Sequence, residues 1–172
     1  MDQAQYKAST DRTDSKLRYA VIHFEELEGV DRRGEDFDRS HQESFLFHLH
    51  GVRDAFLQEL NIKFDCGLPI HQVDKKRLNN VLGKKEIESK ALAKLNELES
   101  DEDSWLTCIN EMRHHSPHRN SIPRVYHVGG ENDGDVYLTN TRNGRVIEED
   151  YIVLFEQWLK KMGDLITELR KL

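Results

Sequence analysis

The chain is poor in several things that define large protein classes. It has two cysteines in 172 residues, Cys66 and Cys108, with no C-x-x-C pair. That argues against a disulfide scaffold and a four-thiolate zinc site. No stretch near 20 residues is free of charge, so an integral membrane helix is not expected. Met1 to Arg18 is polar and lacks an apolar run before a small-residue cleavage site; the expectation is a cytoplasmic, reduced protein without a secretory leader. Excess positive charge is missing too. Lys and Arg sum to 25 and Asp and Glu to 32, a formal net charge of −7. This argues against bulk coating of nucleic acid and leaves room for a local basic site. Internal repeats and low-complexity tracts are absent. Gly129-Gly130 has no following helix and no Lys-Ser/Thr pair, so it does not read as a phosphate-cradling loop.

What is present is mostly helical periodicity. Residues 1–11 are polar and are expected to fray. From Asp14, Leu17, Val21, Phe24 and Leu27 recur at helical spacing, and Gly29 ends the run. Residues 29–40 carry two glycines and seven charges and read as an exposed connection. Ser40, with Glu43 three residues on, fits a capping box. The segment His41 to Leu60 carries the strongest stripe: Phe45, Leu49, Val52, Phe56 and Leu60. A long helical region is expected from Gln72 to Leu98, with Gly83 as a point of division. A helix capped by Asp103 or Ser104 follows and must stop before Pro117.

The texture then changes. Arg124 to Val128 and Val136 to Thr141 read as short strands. Asn143-Gly144 marks a tight hairpin turn, and Val146 and Ile147 begin the return. A last helix is expected from Glu148 to Leu172. The sum is one all-α domain over 1–172. It is an up-and-down bundle of four to five helices, with a small β-hairpin at 124–147 inserted before the last helix.

The chemistry gathers at one place. Four of nine histidines lie between Glu111 and His127. From Leu106 to Val128 the cations are Arg113, Arg119 and Arg124, and the only anion is Glu111. Arginine grips phosphate through a planar fork, and histidine moves protons near neutral pH. Two plainer readings stand beside this. Arg113, His114 and His115 suit the last turn of a helix, where cations complement the dipole, and His118 suits an ordinary loop position. A zinc reading of His114, His115, His118 and His127 lacks a Cys or carboxylate at ligand spacing. His41, His48 and His50 lack a Glu-x-x-His partner motif and read as surface or interfacial. Lys75, Lys76, Arg77, Lys84, Lys85, Lys90 and Lys94 read either as a solvated face or as a track for an RNA backbone.

Arg113, four intervening residues and His118 resemble the Arg-x4-6-His signature of the HEPN superfamily, whose members are small helical bundles. The position of the motif, at the end of a Trp-Leu helix with a further helix to follow, is similar as well. A polar residue, often Asn, commonly follows the Arg in that family; here it is His114. The resemblance implies a metal-independent endoribonuclease, in a toxin or defence setting, with no cofactor. His118 would act as general base or acid and Arg113 would stabilise the in-line phosphorane. His114, His115, Ser116, Arg119 and Arg124 would orient or grip phosphate. The 2′-hydroxyl of RNA would attack, leaving a 2′,3′-cyclic phosphate and a 5′-hydroxyl. Two motifs usually meet across a homodimer in that family, and an antitoxin is a further partner it implies. The alternative is a catalytically silent HEPN-like module, in which the Phe-rich helix 41–60 serves dimerisation and the hairpin serves a partner.

Overall fold

In a computed structural model, the structure describes residues 2–29, 36–115, 122, 124–131, 133–140 and 142–172. It is mostly helical, with a small three-stranded antiparallel sheet before the last helix. Two long helices form the base: α1 (Gln3–Leu27) and α2 (Asp36–Lys63). They run antiparallel: His23 meets His41, Tyr19 meets His48 and Lys16 lies over Phe47. Two shorter helices follow, α3 (Lys75–Lys84) and α4 (Lys90–Ser100), then α5 (Trp105–His115) and α6 (Tyr151–Leu169).

The core is the expected stripe of α2 closed by α6. Phe45 stacks on Phe155 with ring centroids 4.3 Å apart, and Phe155 continues to Trp158. Leu106, Ile109 and Met112 bring α5 against the same cluster. Each such side chain stabilises the fold by roughly 1.5–3 kcal/mol when fully buried.

Several boundaries differ from the sequence reading, each for a physical reason. The polar start, expected to fray, is helical from Gln3. Asp2 caps it by accepting from the amide of Ala4 at 2.9 Å. What holds this segment is not apolar periodicity but Arg170. Its guanidinium donates to Glu59 at 2.8 and 3.1 Å and to the Thr10 carbonyl at 3.3 Å, and it lies 2.8 Å from Asp14. The capping box at Ser40 is not used: α2 begins at Asp36, and the Ser40 hydroxyl donates to the Phe37 carbonyl within the helix.

The helical region after Gln72 divides at Glu86, three residues beyond the expected Gly83. Glu86 adopts φ 56°, and the amide of Ile87 bonds the Leu82 carbonyl at 3.0 Å. α2 ends in the same way, with Asp65 at φ 48° and the amide of Cys66 on the Asn61 carbonyl at 2.8 Å. Both are left-handed caps that usually carry glycine. Ser104, not Asp103, caps α5, accepting from Thr107 N at 3.1 Å.

The insertion is a three-stranded sheet: β1 (Arg124–Tyr126), β2 (Val136–Thr139) and β3 (Val146–Asp150), in the order β1-β2-β3, with the return expected at Val146 and Ile147 running on to Asp150. The Asn-Gly turn is wider than expected. Asn140 and Arg145 close it at 2.8 Å, and Gly144, not Asn143, takes the positive φ. The last helix starts at Tyr151 rather than Glu148, because residues 148–150 complete β3. Asp150 then caps the helix through the amide of Ile152.

Candidate functional site

Arg113 stands at the end of α5. Ile109 and Met112 fix that turn to the core. Arg113, the next residue along, reaches the wall of a cavity of about 840 Å³ between α1, α2, the segment 70–74 and α5. α1 contributes Arg12 and Lys16 to its lining. α2 contributes His50, Arg53 and Asp54, spaced so that the helix turns them to one side. Arg12, Lys16, Arg53 and Arg113 outnumber the lining carboxylates Asp54 and Asp74. In a chain of net charge −7 this is a local positive basin.

The contacts within it are specific. The ring of His50 is buried, and its Nδ1 lies 3.3 Å from Asp54 Oδ2, one helical turn on. Arg53 donates to Asp54 at 2.8 Å and bridges to Glu99 at 2.6 Å, and Lys75 meets the same Glu99 at 2.6 Å. Burial alone would raise the Asp54 carboxyl, but His50 and Arg53 outweigh it and hold the group at about 2. Burial likewise opposes the charged form of Glu99, and Arg53 and Lys75 bring its carboxyl below the ordinary range. Lys16 is lowered by burial and by neighbouring Arg12, with Asp54 partly offsetting them. Gly51 gives the Lys16 stem its passage, since a Cβ there would sit 3.2 Å from Lys16 Cδ.

The sequence-predicted residues fall into three groups. Arg113 and His114 are adjacent in space as well as in sequence, with Nη1 3.4 Å from Nδ1, and the His114 ring lies 6.0 Å from His50. Burial and the charge of Arg113 lower the His114 imidazole. Ser116, His118 and Arg119, with the side chain of His115, lie outside the described residues.

Arg124 is placed elsewhere. Its side chain is 4% exposed and bonds Asp38 and Gln42 of α2 at 2.7 Å each. The Tyr151 hydroxyl donates to the other Asp38 oxygen. Both Nη atoms of Arg124 are thus committed to tying the sheet to α2. His127 packs on Tyr137 of the sheet at 4.4 Å.

Three cations of the basic run in the third helical region are paired with carboxylates, and a fourth is held by backbone. Lys75 is bound to Glu99, Arg77 to Asp74 and Lys94 to Glu168, while Lys85 donates to the Asp65 carbonyl. Among the described residues no three His, Cys, Asp or Glu side chains form a group able to hold a metal ion. None of the described helices is long and apolar enough to cross a membrane. Sequence reasoning missed Arg12, Lys16, Arg53 and Asp54 as cavity residues, and it placed His50 at a surface or interface. The i, i+4 spacing of His50 and Asp54 was the available signal.

The chain matches no family model, no curated protein and no solved structure.

Proposed function

We propose that the protein is a HEPN-like, metal-independent endoribonuclease whose reaction centre includes Arg113 and His118. The observation that carries this reading is Arg113 in the lining of a cavity where cations outnumber carboxylates. A guanidinium there is placed to receive a phosphodiester and to stabilise charge growing on its oxygens. RNA brings its own nucleophile, so the protein need supply only proton transfer and charge stabilisation. Binding by so few cations is weak and falls with salt.

A second reading has its own observation. Tyr19, Ile22, Phe37 and Phe47 are large apolar side chains that remain about half exposed on α1 and α2. A dimerisation module, silent in catalysis, would cover them. RNA incubated in chelator separates the two. The nuclease reading expects cleavage that Arg113→Ala and His118→Ala each slow by about 10²-fold or more; no cleavage by the wild type leaves the binding module.

A further inference from the structure

We propose that the outer face of α1 and α2, where imidazoles lie among half-exposed aromatic rings, is the seam on which two copies of this chain associate, and that acid opens it. It rests on the dimerisation reading above and needs no cleavage activity. Three histidines meet on this face. His23 Nδ1 lies 3.2 Å from His41 Nδ1, and the His23 ring stacks on His48 with centroids 5.4 Å apart. The half-exposed aromatics extend this cluster. Phe37 lies 4.2 Å from His41, and Tyr19 and Phe47 each lie 5.3 Å from His48. The apolar surface is therefore one connected patch, of the kind that marks an interaction site.

The charges on the face say what covers it. Arg12, Tyr19 and Glu26 are exposed and recur at seven-residue intervals, so they share one side of α1. A second α1 laid antiparallel about a two-fold axis at Tyr19 sets Arg12 of each copy against Glu26 of the other. A face that is basic at one end, acidic at the other and aromatic between is its own complement, and such a face closes as a pair.

The imidazoles make the seam answer to pH. The two facing Nδ1 atoms bond only if one donates and the other accepts, so the contact tolerates at most one charged ring. Burial and His41 lower the His23 imidazole, with Glu26 partly offsetting them; burial, Lys16 and His23 lower His48. One helical turn from these rings, the charged side chains are Glu26 on α1 and Asp38 on α2, and Asp38 is bound to Arg124. Lys16, over the Phe47 ring, adds positive charge. A lowered imidazole takes its proton only as pH falls below the ordinary histidine range, and burial between two copies opposes that proton further. Association is thus full at neutral pH and is lost on acidification.

The test is sedimentation equilibrium of the full chain from about pH 7.5 down to about pH 5.5 at fixed ionic strength, with far-UV circular dichroism at each step. A dimer is expected at the upper end. Its Kd should rise about tenfold or more on acidification, which is the effect of one pKa unit at one imidazole, before helicity is lost. His23→Gln with His41→Gln should keep the dimer and flatten that rise; His48→Gln, a single change, decides the point if the double variant does not fold. Glu26→Arg should weaken the dimer, and adding Arg12→Glu should restore it. A Kd that does not move with pH, helicity lost before dissociation, or a charge exchange without rescue overturns the inference and leaves the dimerisation reading standing. A wild type that is monomeric at every pH overturns both.

Discussion

At the residue scale the clearest division is between two arginines of the same basic island. Arg113 reaches a cavity, whereas Arg124 is consumed by Asp38 and Gln42 in the interior. Sequence alone gives both the same status, because charge in a window says nothing of which side chain meets a buried carboxylate 86 positions away. The two should separate in stability measurements. Asp38→Ala removes the carboxylate paired with the buried Arg124 and the oxygen that accepts from the Tyr151 hydroxyl. A loss of about 3–5 kcal/mol in denaturant unfolding is expected, against a change within about 0.5 kcal/mol for Arg113→Ala, which removes no buried partner.

Asp54 gives a pH prediction at the same scale. Its carboxyl stands at about 2 in the folded chain against 3.8 ordinarily. Between those values the unfolded chain binds more protons, so this contribution is present above about pH 4 and is lost as pH falls through about 2. Its size is modest, because 52% of the side chain is open to water. Carboxyl NMR should place the Asp54 inflection near 2 in the wild type and move it upward in His50→Gln. Cys108, by contrast, is an inert thiol. Burial, with Glu111 nearby, pushes it up to about 11.

At the scale of elements, the apolar stripes of α2 and α6 and the strand texture after Pro117 were legible in the sequence, because periodicity reports burial directly. The ends were less so. α2 and α3 both stop on a left-handed residue that is not glycine, Asp65 and Glu86, so the usual punctuation is missing. Glycine searches point instead to Gly83, which lies inside α3. Glu86→Gly should relieve this and stabilise the chain by about 0.5–1 kcal/mol, read as a rise in the thermal midpoint; a fall would mean that the Glu86 side chain holds a contact that matters. The return strand was read at Val146 and Ile147, but its extent to Asp150 was missed for another reason. The run Val146–Asp150 is followed at once by helical spacing, and three consecutive acids hide a strand edge whose last member caps the next helix.

At the scale of the whole molecule, α1 decides whether there is a cavity. Its first three turns supply one wall, and Arg170 staples them to Glu59 across α2 and α6. A polar helix held by one ion-pair network carries no hydrophobic signature, which is why residues 1–11 read as fraying. Arg170→Met should loosen that wall and lower stability and, under the ribonuclease reading, weaken RNA binding; RNA binding kept intact would show that α1 is dispensable to the site.

The half-exposed Tyr19 and Ile22 lie on the same helix. The dimerisation reading expects Tyr19→Glu with Ile22→Glu to make the protein monomeric in sedimentation. A dimer that persists would place the seam elsewhere.

The most direct test of the central claim is RNA cleavage in excess chelator by the wild type, Arg113→Ala and His118→Ala, with product ends identified. The account predicts 2′,3′-cyclic phosphate and 5′-hydroxyl ends from the wild type and a loss of about 10²-fold or more in each variant. No cleavage by the wild type, or equal cleavage by all three, would contradict it.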